Sequence, residues 1–169
     1  SYDMATECLT LSGTVFKQVG SSKDTFLGLA EDVANNTWRE VKGLFETSAA
    51  FLSKLDSAQI PRFLNLTANL AKKEDQKVSL FIRDSISAIS QVDVAKHALI
   101  LTLSEVLLSE WAGNVADFIK TAPNVLSKVT TNQFEDWFNE GLKVLKENQA
   151  AGSAYFKIES SWAEHIIDS

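Results

Sequence analysis

The sequence predicts an all-α fold, an α-solenoid-like stack of helical hairpin repeats of about 37 residues. Three observations carry this. A twelve-residue pattern recurs five times without a gap, over 8–19, 44–55, 81–92, 118–129 and 155–166, its starts separated by 36, 37, 37 and 37 residues. Inside the pattern apolar residues return at the spacing of one helix face. Between the copies, polar and capping residues return at matched positions.

The first-type helices are expected near those five spans. Their first column reads Cys8, Leu44, Phe81, Phe118 and Tyr155, and their second Leu9, Phe45, Ile82, Ile119 and Phe156. The ninth column holds Phe16, Leu52, Ile89, Leu126 and Ala163, and the twelfth Val19, Leu55, Val92, Val129 and Ile166. Offsets of seven, eight and eleven residues fall on one side of a helix, while the tenth and eleventh columns, such as Lys17-Gln18 and Ser53-Lys54, turn to water. Pro123 lies inside one of these spans, where it removes a hydrogen bond, so that helix is expected to kink, or to break and restart.

A second helix follows each of the first four copies, expected near 23–35, 59–72, 94–109 and 131–147. Phe26, Phe63, Ile100 and Trp137 share one apolar column, Leu27, Leu64, Leu101 and Phe138 the next, and Val33, Leu70, Leu107 and Val144 a third. Asp56, Asp93 and Thr130 precede these helices as candidate caps, and Thr130 with Gln133 has capping-box spacing. The first unit is one residue shorter and offers Gly20-Ser21 there. Pro61 places the start of its helix nearer Gln59 than Asp56. Polar turns lead to the next copy at Asn35-Asn36-Thr37, Lys72-Lys73-Glu74-Asp75, Ser109-Glu110 and Glu147-Asn148-Gln149. A hairpin of this length cannot bury both faces alone, so neighbouring units must stack.

Composition bounds the function. With 169 residues, 45% of them hydrophobic, the chain suffices for a single helical-repeat domain over 1–169 with its own core. A formal charge of -6 opposes a hold on phosphate backbones, so nucleic acid is not an expected partner. The single cysteine excludes an internal disulfide framework and fits a cytoplasmic location. No apolar run is long enough to cross a membrane, and no signal peptide opens the chain, so membrane insertion is not expected.

The columns also judge each candidate for chemistry. Cys8 shares a column with large apolar residues, which marks it as a packing residue rather than a nucleophile. His165 aligns with Gln18, Lys54, Gln91 and Lys128 and reads as solvated. His97 aligns with Ile60 and Phe134 and reads as a half-buried packing residue. Two histidines and one cysteine, with no Glu-x-x-His pair, leave a metal site without ligands. No Gly-x-x-x-x-Gly-Lys loop and no Gly-x-Ser-x-Gly elbow occurs, and Glu31-Asp32 and Glu135-Asp136 fall on polar faces. The chain is therefore expected to be no enzyme and to carry no cofactor. Trp137 and Trp162 belong to packing columns. Trp38 and Trp111 stand at hairpin turns that are otherwise polar, where each either staples its turn or anchors a partner.

The last unit carries Trp137 and Gly141, then Gly152 and the run Ala154-Tyr155-Phe156-Lys157-Ile158-Glu159-Ser160. It resembles the helical region ahead of the von Willebrand factor A domain in proteins of the nitric oxide reductase activation type, where a Trp, a Gly four residues on, and a Tyr-Phe-x-Leu-Glu-Ser stretch recur. Leu44 to Leu52 and Phe118 to Leu126 similarly resemble a Phe-Phe-x-Ser-Ser-Pro-x-x-Leu repeat of those regions. The resemblance implies an accessory protein working with a MoxR-type AAA+ ATPase, or its client enzyme, in metalloenzyme activation or assembly. The Asp-x-Ser-x-Ser metal loop of such A domains is absent here, since Asp84-Ser85-Ile86-Ser87 has the wrong spacing. The chain, which is read as opening in the second helix of a unit, is thus expected to be part of a longer protein. Two functions from different classes follow: a non-catalytic protein-interaction scaffold, or a closed helical domain enclosing a small apolar ligand lined by Phe63, Phe81, Phe134 and Phe138.

Overall fold

The computed structural model describes residues 2–74 and 77–157, and among them the fold is all-α. The helices are α1 (Tyr2–Val19), α2 (Lys23–Asn36), α3 (Glu40–Phe51), α4 (Ile60–Lys73), α5 (Val78–Ile89), α6 (Val94–Trp111), α7 (Val115–Leu126), α8 (Thr131–Glu147) and α9 (Gln149–Phe156). Short 3-10 turns occupy Gly20–Ser22, Leu52–Lys54, Ser57–Gln59 and Ala112–Asn114. The side chain of Cys8, and Trp162 and His165 with the rest of the fifth pattern beyond Lys157, lie outside the described residues.

The odd-numbered helices α1, α3, α5 and α7 pack side by side in chain order, and α2, α4 and α6 form a second row against them. α9 packs on α8 and α7. The apolar columns meet in one continuous core between the rows, in which Leu44, Phe63, Ile82, Ile100, Phe118 and Phe134 are all completely buried. Small residues occupy one column of the odd row, Ser48, Ser85 and Ala122, each buried. Their size lets neighbouring backbones approach.

Several expectations need correction. The odd helices α3, α5 and α7 begin three or four residues before the apolar pattern and end at Phe51, Ile89 and Leu126, because the columns mark the buried face and not the helix ends. Leu55 lies beyond its helix with extended backbone (φ -90, ψ 146), which folds it back into the core at 4% exposure. Pro123 causes no break and restart. It sits in the last turn of α7, which stops three residues later, so only the Ile119 carbonyl loses a helical donor, and the Pro123 carbonyl still accepts from Ser127 N–H at 3.0 Å. Ser109-Glu110 is not a turn. α6 continues through it to Trp111, with the Ser109 hydroxyl donating back to the Val106 carbonyl at 2.7 Å. The chain does not open in a second-type helix, since Tyr2–Val19 is one helix continuous with the first pattern.

Local signals explain the remaining ends. Thr130 caps α8 through a complete capping box with Gln133, at 3.2 Å and 2.9 Å. Asp56 accepts from Ala58 N–H at 3.3 Å and starts a 3-10 turn, which delays α4 to Ile60 with Pro61 in its first turn. The Asp93 side chain accepts no capping bond from a backbone N–H. Gly20 adopts φ +52, the left-handed region open to glycine, and so joins α1 to α2 by a tight turn where the other units use a longer connection.

The hairpin α8–α9 closes by another route. A Cβ placed on Gly152 would lie 2.5 Å from Leu145 Cα, and one on Gly141 would lie 2.6 Å from Phe156 Cζ. Each helix thus presents a glycine where the other comes closest, and around them Phe118, Phe134, Trp137, Phe138, Tyr155 and Phe156 form one aromatic cluster. The Tyr155 hydroxyl donates to the Trp137 carbonyl at 2.7 Å.

Candidate functional site

The turns that lead from each even helix to the next odd helix hold the two tryptophans singled out by the sequence. Trp38 stands between α2 and α3 and is 64% exposed, so most of its ring faces water. Trp111 ends α6 and is 39% exposed. Its indole lies against Gly113 in the following turn, where an added Cβ would sit 3.5 Å from Nε1. Trp38 therefore has the exposure of a contact residue, while Trp111 also covers its own turn.

A groove of about 520 Å³ lies between the α2–α3 and α4–α5 turns, and Thr37 and Glu40, from the turn that holds Trp38, help to line it. Val33, Ala71 and Val78 form its apolar floor; Asp32, Asn36, Thr37 and Glu40 line one wall, and Lys72, Glu74 and Lys77 the other. Glu74 belongs also to the next turn, since its Oε1 would be 3.4 Å from a Cβ on Gly113. The groove thus separates the turn bearing Trp38 from the wall that adjoins Trp111. Lys73 Nζ, adjacent in sequence, donates to the Leu108 carbonyl at 3.4 Å and helps tie the end of α6 to α4. The charged walls escaped the sequence reading, which placed Asp32 on a polar helix face and Lys72 in a polar turn without bringing the two together.

His97 is not half-buried. It is 1% exposed, and its imidazole spans two connections: Nδ1 accepts from Asp56 N–H at 3.2 Å, and Nε2 lies 3.2 Å from the Val92 carbonyl. Accepting at Nδ1 and donating at Nε2 requires the neutral Nε2–H tautomer. Where other units place Ile60 or Phe134, this unit uses a ring that satisfies two backbone groups at once. Its role is structural, since both nitrogens are occupied.

Among the described residues no group of three His, Cys, Asp or Glu side chains stands close enough to hold a metal ion, and no helix is long and apolar enough to cross a membrane. Burial raises the Tyr155 phenol well above its usual range, with a further contribution from the Glu140 charge. Arg62 is raised by its hydrogen bond to Glu105, with Nε–Oε1 at 3.0 Å and Nη2–Oε2 at 3.1 Å, a forked pair that joins α4 to α6 at the surface. The side chains named as a lining for an apolar ligand are packed on other rings. Phe63 stacks on Phe81 with centroids 6.0 Å apart, and Phe134 and Phe138 lie on Phe118 at 6.2 Å and 5.1 Å.

Comparison with protein-family models, with curated proteins and with solved structures finds no match to this chain.

Proposed function

We propose that this chain is a non-catalytic helical-repeat scaffold that binds a protein partner along the edge carrying Trp38 and Trp111. The supporting observation is Trp38 itself, a large aromatic 64% exposed in a turn whose Thr37 and Glu40 line a groove with an apolar floor and charged walls. Exposed tryptophans of this kind supply much of the binding energy at protein interfaces. The resemblance of the last unit supports a more specific reading: the region preceding a von Willebrand factor A domain, in an accessory protein acting with a MoxR-type AAA+ ATPase or its client in metalloenzyme activation or assembly.

The test is a titration of the purified chain with the MoxR-type ATPase of the same host, followed by calorimetry. Binding is expected, and Trp38→Ala should weaken it at least about tenfold, since truncating an anchoring tryptophan removes about 2 kcal/mol or more. Binding unchanged in Trp38→Ala and in Trp111→Ala would place the contact elsewhere. No binding to the ATPase or to its client would remove that partner class.

A further inference from the structure

The first hairpin leaves open the face that every later hairpin buries. In the second column of the odd helices, Phe45, Ile82, Ile119 and Phe156 are at most 7% exposed, whereas Leu9 of α1 is 75% exposed. The matching column of the even helices repeats the contrast: Leu64, Leu101 and Phe138 are at most 1% exposed, and Leu27 of α2 is 39% exposed. Ring contacts show which way this column faces. Phe45 meets Phe16 of α1 and Phe26 of α2, at 6.3 Å and 5.3 Å, and Phe156 meets Phe118 of α7 at 5.8 Å. Phe138 of α8 meets the same Phe118 at 5.1 Å. Phe45 and Phe156 thus each pack on the hairpin before their own, whereas Phe138 packs on α7 within its own hairpin.

We infer that Leu9 and Leu27 mark an unoccupied repeat interface, and that its occupant is a further hairpin of the same kind, encoded upstream in the same polypeptide. Both helices of this hairpin expose an apolar position that its equivalents bury, and Leu9 stands in the column by which Phe45 and Phe156 join the preceding hairpin. The occupant must offer what Phe16 and Phe26 offer to Phe45, a large apolar side chain from each of its helices. Space is present as well, since a Cβ on Gly13 would meet nothing within 4 Å. In the units that follow, the column of Gly13 holds the half-buried Ala49 and the buried Ile86 and Pro123.

The inference can be tested with the chain's own parts. Fusing a copy of residues 40–73 directly ahead of Ser1 gives its Leu44 the same distance from Cys8 that separates Leu44 from Phe81. The added hairpin should fold, seen as a gain in helical circular dichroism, and should slow amide exchange in α1 and α2 by about tenfold to a hundredfold, the equivalent of burying one large apolar side chain. Leu9→Asp with Leu27→Asp should abolish that gain while leaving the unfused chain's melting temperature nearly unchanged. The encoded sequence upstream of Ser1 should carry apolar pairs one repeat length before Cys8-Leu9 and before Phe26-Leu27. An added hairpin that stays unfolded, or an upstream sequence without those pairs, overturns the inference. So does self-association of the unfused chain that Leu9→Asp abolishes, which would make a second copy the occupant.

Discussion

One substitution, glycine to alanine, should act with opposite sign at two helical positions of this protein. At Gly28 in α2 an added methyl meets nothing within 4 Å. Only the backbone effect remains, and alanine in a helix interior is favoured over glycine by about 0.8–1 kcal/mol. At Gly152 in α9 the methyl would lie 2.5 Å from Leu145 Cα, 2.6 Å from its Cδ1 and 2.7 Å from its Cβ. Carbon atoms rest at about 3.5–4.0 Å, so α8 and α9 must part by roughly 1 Å. The closest atom is backbone and cannot rotate away, which puts the overpacking cost near the upper part of the usual range, about 3 kcal/mol. Set against the same propensity gain of about 1 kcal/mol, the net loss is about 2 kcal/mol. For a chain of this size 1 kcal/mol moves the melting temperature by about 2–4 °C, so Gly28→Ala should raise it by about 2–4 °C and Gly152→Ala lower it by about 4–8 °C. Thermal unfolding followed by circular dichroism measures both. Should Gly152→Ala stabilise the chain as much as Gly28→Ala, the close approach of α8 and α9 is wrong.

Three further outcomes are expected. His97→Leu keeps an apolar side chain where Ile60 and Phe134 stand in other units but leaves Asp56 N–H and the Val92 carbonyl without partners. Urea unfolding should show a loss of about 2 kcal/mol or more, and a loss under about 0.5 kcal/mol would mean that solvent takes over both bonds. Thr130→Ala should cost about 1 kcal/mol, whereas Asp93→Ala, at the equivalent position but without a capping bond, should cost less than about 0.5 kcal/mol; equal losses in chemical denaturation would contradict the cap assignments. Tyr155 is held protonated in the fold above the usual range of a phenol, so its contribution is complete at neutral pH and is lost as pH rises past about 10, where the unfolded chain's tyrosines ionise. Alkaline unfolding should therefore be less steep in Tyr155→Phe than in the parent, and an unchanged pH profile would show that the phenol is not desolvated.

Much of this architecture was legible because a helix writes its buried face into the sequence. Phe63, Ile100 and Trp137 recur in one column and all lie in the core, and Thr130 with Gln133 announced a capping box that forms. Pro61 likewise marked the start of α4. The helix ends were less legible, since apolar columns continue past them: Leu55 is as buried as a helical residue although its backbone is extended. Pro123 looked disruptive because its distance from the end of α7 was hidden. At the candidate site, Trp38 and Trp111 stood out as aromatics among polar turns. The groove between the α2–α3 and α4–α5 turns did not, because its walls come from residues about forty positions apart.

Sequence by itself determined which side chains avoid water and at what interval, because transfer of an apolar group out of water depends on its chemistry and helical spacing on its position. Tertiary structure alone decided what each buried or exposed position touches. His97 became a bridge between two connections, Gly141 and Gly152 became the points of closest approach of two helices, and Leu9 and Leu27 were left facing solvent while their equivalents were covered. The physical reason is that these outcomes depend on neighbours brought together by packing, and identical local patterns meet different neighbours at the start, middle and end of a row.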